Sequence, residues 1–165
     1  MSKLIAFGWY GGKFNHLDWL LPLLPETQHY CEPFGGSAAV LLNRKPSDVE
    51  TYNDLDGEVV NFFRMLRESQ EELIQAIALT PFSREEFKIA LTPPTEKISD
   101  LERARRFFVR ARQVRTGLAQ TASVVSNQKV FICRRDLDYK IMAKSLLRVL
   151  LISVINSYIR LQSEV

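Results

Sequence analysis

Apolar and polar positions fall into short blocks of differing period along this chain, and the periods assign most of its elements. Leu17, Leu20, Leu21 and Leu24 share one helical face, and Pro22 and Pro25 stop that helix. A short run over 29–32 enters Pro33-Phe34-Gly35-Gly36 and leads into Ser37 and the apolar residues 38–42, which reads as strand, tight turn and helix. After the break at Lys45-Pro46-Ser47, residues 49–53 alternate as a second short strand ending at Asp54. A helix over 57–68 then buries Val59, Val60, Phe63 and Leu66. Strand, helix, strand and helix in succession predict parallel strands joined by right-handed crossovers.

Three capping boxes follow: Ser69 with Glu72, Ser83 with Glu86, and Ser99 with Glu102. In each, a serine and the acid three residues on can satisfy the free amides of a helix start, so three short helices are predicted. Leu91-Thr92-Pro93-Pro94 separates the second from the third. Residues 123–129 are polar and loop-like, 130–133 read as strand, and 144–161 fit helix or strand equally.

At 165 residues the chain has the size of one domain, and 46% hydrophobic with 25% charged residues is the balance of an ordinary soluble protein. The net charge of +3 is small, but its distribution is uneven. Between 101 and 120 lie Arg103, Arg105, Arg106, Arg110, Arg112 and Arg115 against the single acid Glu102. Such a run makes a local positive field that draws phosphate backbones, or else a solvated helix face. Cys31 and Cys133 have no CxxC spacing and do not cluster with His16 or His29, which argues against zinc and against a disulfide scaffold. The N-terminus has no signal-peptide core, and the apolar stretch at 146–159 carries Arg148 and Asn156 and is short for a bilayer. The expectation is a reduced, cytoplasmic protein without metal or membrane.

Three segments carry candidate chemistry. Gly35 and Gly36 let the backbone approach a ligand and expose amides at a helix start, or simply make a tight turn. Asp54 ends the second strand about twenty residues on, where an acid accepts hydrogen bonds from ribose hydroxyls; Asp54 or Asp56 also suits the cap of the next helix. Lys13 follows Gly11-Gly12 and suits an anion such as a carboxylate, or lies over apolar neighbours. Trp9 and Tyr10 stack on a purine or pack on the core.

Taken together, Trp9…Gly11-Gly12-Lys13, Glu32-Pro33-Phe34-Gly35-Gly36-Ser37 and Asn53-Asp54-Leu55 resemble the N-terminal half of Dam-like adenine-specific (N6) DNA methyltransferases, over about residues 5 to 122. The resemblance implies an α/β, Rossmann-like fold that binds S-adenosylmethionine, here with an incomplete sheet, and a helical insert that reads double-stranded DNA. It divides the chain into a cofactor-binding part at 1–68, the insert at 69–122 and a divergent tail at 123–165. It implies cofactor contacts from Trp9, Tyr10, Gly12, Lys13, Glu32, Phe34, Gly35, Gly36 and Asp54. Lys13 would face the methionine carboxylate, the glycine turn the methionine part, and Asp54 the ribose. DNA contacts would come from Arg106, Arg110, Arg112 and Arg115. One departure is large: the family's catalytic Asp-Pro-Pro-aromatic motif is missing, and Leu91-Thr92-Pro93-Pro94-Thr95 has the prolines without the acid or the aromatic. The chain therefore reads as truncated and catalytically incompetent by itself, with a second chain completing the sheet and the catalytic site as an expected partner. The alternative is a non-catalytic module that binds DNA or a protein.

Overall fold

The computed structural model describes residues 3–114 and 159–161. Three short parallel strands form a sheet in the order β1-β2-β3: β1 is His29–Glu32, β2 is Val49–Tyr52 and β3 is Ile159–Leu161. His29 lies opposite Val49 and Glu32 opposite Tyr52, and β3 runs along the far side of β2. The parallel arrangement expected for the first two strands is present. Of the ambiguous stretch at 144–161, its last residues are strand, while the strand expected at 130–133 lies outside the described residues.

Period-two alternation puts Tyr30, Glu32, Glu50 and Tyr52 on one face of the sheet, and that face is covered by the crossover at 33–48. There Arg44 pairs with Glu50 at 2.9 Å, with both side chains buried, and its guanidinium lies 4.0 Å from the centroid of the Tyr30 ring. Burial, reinforced by nearby Glu32, pushes the Tyr30 hydroxyl up to about 12. Asn43 fastens the N-terminal segment to the crossover: its side chain accepts from Leu4 N–H and donates to Leu4 C=O, both at 2.7 Å.

The helices are α1 (Leu17–Leu20), α2 (Gly57–Glu68), α3 (Gln70–Ala78), α4 (Arg84–Leu91) and α5 (Asp100–Gln113). Asp56 caps α2 by accepting from Glu58 N–H at 2.9 Å. α5 packs along α2, α3 and α4. Its Phe107 and Phe108 meet Phe62 of α2 at ring-centroid distances of 5.6 and 5.7 Å, and Phe7 stands 5.0 Å from Phe107. One apolar core thus runs from Ala6 to Ala111 and joins the first strands to the helices after 69. In α2 the fully buried phenylalanine is Phe62, while Phe63 is half-buried and lies against Tyr52 at 4.9 Å.

Three local expectations are corrected. The leucine-faced helix after Gly12 is one α-turn, α1, between 3-10 turns at Lys13–His16 and Leu21–Leu23, and only Leu17 is buried. Pro22 enters that second turn and prevents a longer helix. The helix expected over 37–42 is a chain of turns instead, because Ala38 sits at a φ of +55°, outside the right-handed helical region. Ser83 and Ser99 cap their helices, accepting from Glu86 N–H at 3.1 Å and Glu102 N–H at 3.2 Å. Ser69 makes no side-chain cap; it closes α2, donating its N–H to Met65 C=O at 2.8 Å, and so cannot also complete a box with Glu72.

Candidate functional site

The three segments singled out by sequence converge at the carboxyl end of β1 and β2. They enclose one cavity of about 270 Å³ lined by Trp9, Tyr10, Gly11, Gly12, Lys13, Glu32, Phe34, Gly35, Gly36, Ser37, Ala39 and Asp54. All nine residues expected at the cofactor are in that lining, joined by Gly11, Ser37 and Ala39.

Lys13 stands at the start of a 3-10 turn and reaches across to β1, donating to Glu32 Oε1 at 3.3 Å and to Phe34 C=O at 3.1 Å. An ammonium has three donors, so one remains for a ligand. Glu32 is the last residue of β1 and is buried, its Oε2 accepting from Leu41 N–H at 3.2 Å. Burial holds its carboxyl above the usual range, against the pull of Lys13 and, more weakly, Arg44. A buried acid beside a half-exposed cation makes a site with two charged poles about 3 Å apart.

Asp54 follows β2 and clasps the turn after β1. Its Oδ2 accepts from Gly36 N–H at 2.8 Å and its Oδ1 from Asp56 N–H at 3.0 Å. A carboxylate offers about four acceptor positions, so about two stay available to hydroxyl groups. The helix-capping role falls to Asp56.

The glycines answer to neighbouring rings as well as to any ligand. A Cβ on Gly35 would stand 2.1 Å from the Tyr52 ring, and one on Gly36, at φ +51°, would stand 2.7 Å from Trp9 Cδ1. The close approach expected at this turn is thus, in the first instance, an approach to Tyr52 and Trp9. Trp9 is half-buried with its ring edge-on to Phe7 at 5.8 Å, whereas Tyr10 and Phe34 are exposed at 67% and 76% and form an aromatic rim. Sequence reasoning passed over Tyr52, whose hydroxyl donates to Gly36 C=O at 2.6 Å. Its position at the end of β2, two residues before Asp54 and on the same sheet face as Glu32, was the available signal.

The arginine-rich segment becomes α5, and most of its charge is met by protein. Arg103 pairs with Glu58 at 2.6 Å, Arg105 with Glu86 at 2.9 Å and Glu102 at 2.6 Å, and Arg106 with Glu102 at 2.8 Å. Arg110 donates to Ala90 C=O at 2.8 Å, and its burial lowers its pKa. Arg112 has a buried Nε without a hydrogen-bond partner among the described residues. Arg115 lies outside them. The positive run read at 101–120 against Glu102 alone is met by more acids than that: Glu58 and Glu86 reach it from α2 and α4, and Asp100 stands at the start of α5 itself. Pro93 and Pro94 follow the end of α4 with no strand before them, and the rim of a separate open groove contains them together with Lys88 and Arg106.

Among the described residues, no group of three or more His, Cys, Asp or Glu is placed to hold a metal ion, and no helix is long and apolar enough to cross a membrane.

A glycine turn after β1, an acid after β2 and a lysine following a glycine pair thus gather on one cavity. The chain belongs to the D12 class of N6 adenine-specific DNA methyltransferases, whose family model matches residues 9–163. That match extends well past the stretch to about residue 122 over which the motifs can be read. Among curated proteins it is similar to the Type II methyltransferase M1.LlaDCHI of Lactococcus lactis subsp. cremoris, at 32% identity over 124 residues, covering 70% of this chain and 43% of that protein. The chain therefore spans less than half the length of that relative. S-adenosylmethionine is the methyl donor of the class.

Proposed function

We propose that this chain carries the S-adenosylmethionine site of an enzyme that methylates N6 of adenine in double-stranded DNA. The observation that supports this most is the meeting of Lys13, Glu32, the Gly35-Gly36 turn and Asp54 around one cavity. The methionine part of the cofactor is zwitterionic, and the two-pole site matches it: the free donor of Lys13 takes the carboxylate and Glu32 faces the ammonium. The acceptor positions left on Asp54 take the ribose hydroxyls, and the Tyr10–Phe34 rim offers flat surfaces to a purine. When bound, the cofactor supplies the electrophilic methyl group. The chain's own residues bind and orient it, and they keep water from the buried end at Glu32.

On this reading Arg106 and Arg110 serve mainly to hold the helices after 69 together, and Arg112 and Arg115 carry the DNA-facing part of the insert. The sequence lacks an acid-Pro-Pro-aromatic motif to draw hydrogens from the adenine amino group and stack on the base. These 165 residues by themselves accordingly bind the cofactor without transferring its methyl group.

Calorimetric titration with tritiated S-adenosylmethionine, followed by incubation with adenine-containing duplex DNA, tests both parts. The wild-type chain binds, and Asp54→Ala weakens binding about 10- to 100-fold, as expected for losing hydrogen bonds to a charged acceptor. No tritium reaches the DNA. A folded chain that does not bind, or that binds equally well with Asp54→Ala, sinks the cofactor reading. Labelled adenine sinks the claim of incompetence.

A further inference from the structure

The turn that faces the cavity is held from behind by a residue that does not reach the cavity. Gly36 has a φ of +51°, a left-handed conformation that glycine, having no Cβ, adopts readily and can as readily leave. Both of its peptide groups are tied to the end of β2: its N–H to Asp54 Oδ2 at 2.8 Å, and its C=O to the Tyr52 hydroxyl at 2.6 Å. Tyr52 is itself fixed, 1% exposed, with its ring against Phe63 at 4.9 Å and filling the space a side chain at Gly35 would need. Burial, with a smaller contribution from Asp54, raises its pKa far above the usual tyrosine value, so the hydroxyl keeps its proton and acts as a donor.

We propose that the Tyr52 hydroxyl is a positioning group for the cofactor, setting the Gly35-Gly36 turn that receives the methionine part without touching the ligand. This rests on the cofactor reading above. It goes beyond that reading by assigning affinity for one portion of the ligand to a residue outside the lining. Without the hydroxyl, the buried Gly36 carbonyl has lost its donor and gains by turning toward another donor or water. The turn then spends less of its time in the receiving shape, and apparent affinity falls by that fraction. The ribose end, held by Asp54, is little changed.

Tyr52→Phe keeps the ring that fills the gap at Gly35 and removes only the donor. The variant and the wild-type chain are titrated with S-adenosylmethionine and with 5′-methylthioadenosine, which keeps the nucleoside and the sulfur but lacks the amino-acid part. Expected is a loss of about 5- to 20-fold for S-adenosylmethionine, the scale of one buried hydrogen bond, with 5′-methylthioadenosine within about twofold. Tyr52→p-aminophenylalanine, which restores a donor at the same ring position, recovers the S-adenosylmethionine affinity. Unchanged S-adenosylmethionine binding by Tyr52→Phe overturns the proposal, as does an equal loss for both ligands. A Tyr52→Phe chain that no longer folds also overturns it, since the hydroxyl would then serve the fold and not the site. A wild-type chain that binds neither ligand removes the cofactor reading and this inference together.

Discussion

At the scale of single residues, the cavity is built by side chains that each meet two demands. Asp54 clasps a backbone turn and still has acceptor capacity, and Lys13 bridges Glu32 and Phe34 C=O with a donor to spare. Gly36 meets the strictest pair of demands, a left-handed φ and a ring at its back. Gly36→Ala is expected to destabilise the folded chain by about 1–3 kcal/mol, from backbone strain and displacement of Trp9. Gly8→Ala, where an added Cβ meets nothing within 4 Å, is the control and should stay within about 0.5 kcal/mol. Urea denaturation of both variants decides it; equal midpoints would mean that the turn is free to relax. That the site residues would meet at one cavity was legible from sequence because each lies in a short motif whose chemistry is local: glycines before a lysine, glycines after a strand, an acid after the next. Tyr52 was not, because a tyrosine on the inward face of a short strand looks like core until the carbonyl it serves is seen.

At the scale of elements, capping chemistry and charge pairing give opposite lessons about what a sequence reveals. Helix starts at Ser83 and Ser99 were readable because the cap partner is three residues away. The box at Ser69 failed because that residue also ends α2, and one backbone amide cannot both close a helix and receive the next helix's acid. Ser83→Ala and Ser99→Ala should each cost about 1 kcal/mol, whereas Ser69→Ala, with no cap bond to lose, should cost a few tenths, about 0.3 kcal/mol. Chemical denaturation of the three variants gives the comparison, and a Ser69→Ala loss as large as the others would contradict the geometry. The arginines of α5 misled for the converse reason. Their partners Glu58 and Glu86 lie 45 and 19 positions away from Arg103 and Arg105, so the run of positive charge looked opposed by Glu102 alone until the helices were assembled.

At the scale of the whole molecule, the parallel pairing of β1 and β2 followed from period and turn signals alone, while the helix expected in their crossover is absent and the continuous core from Ala6 to Ala111 was not foreseen. Five phenylalanines, at 7, 62, 63, 107 and 108, create it by meeting across elements far apart in sequence. That single core bears both the cavity and the helices that follow, yet the two ends of the molecule titrate in opposite senses. Glu102 is held below the usual carboxylate range, first by its hydrogen bond to Arg105 and then by Arg106. Its contribution to stability is full above about pH 4.3 and is lost as pH falls through its depressed value. Glu32 is held above that range by burial, so its ionised form is the less stable one in the folded chain. Its contribution is greatest below about pH 4.3 and is lost as pH rises through its raised value. In the proposed cofactor site, however, it is the ionised Glu32 that would partner the ammonium. Acidification from neutral pH toward about pH 5 should therefore weaken S-adenosylmethionine binding while the melting temperature of the free chain holds or rises slightly, because Glu102 is still ionised there. Glu32→Gln should bind more weakly at neutral pH and show no such pH dependence across that window, with a melting temperature no lower than wild type. Calorimetry and thermal denaturation at matched pH values test this directly. Affinity and melting temperature falling in step would mean that the acid at the end of β1 supports the fold and not the ligand.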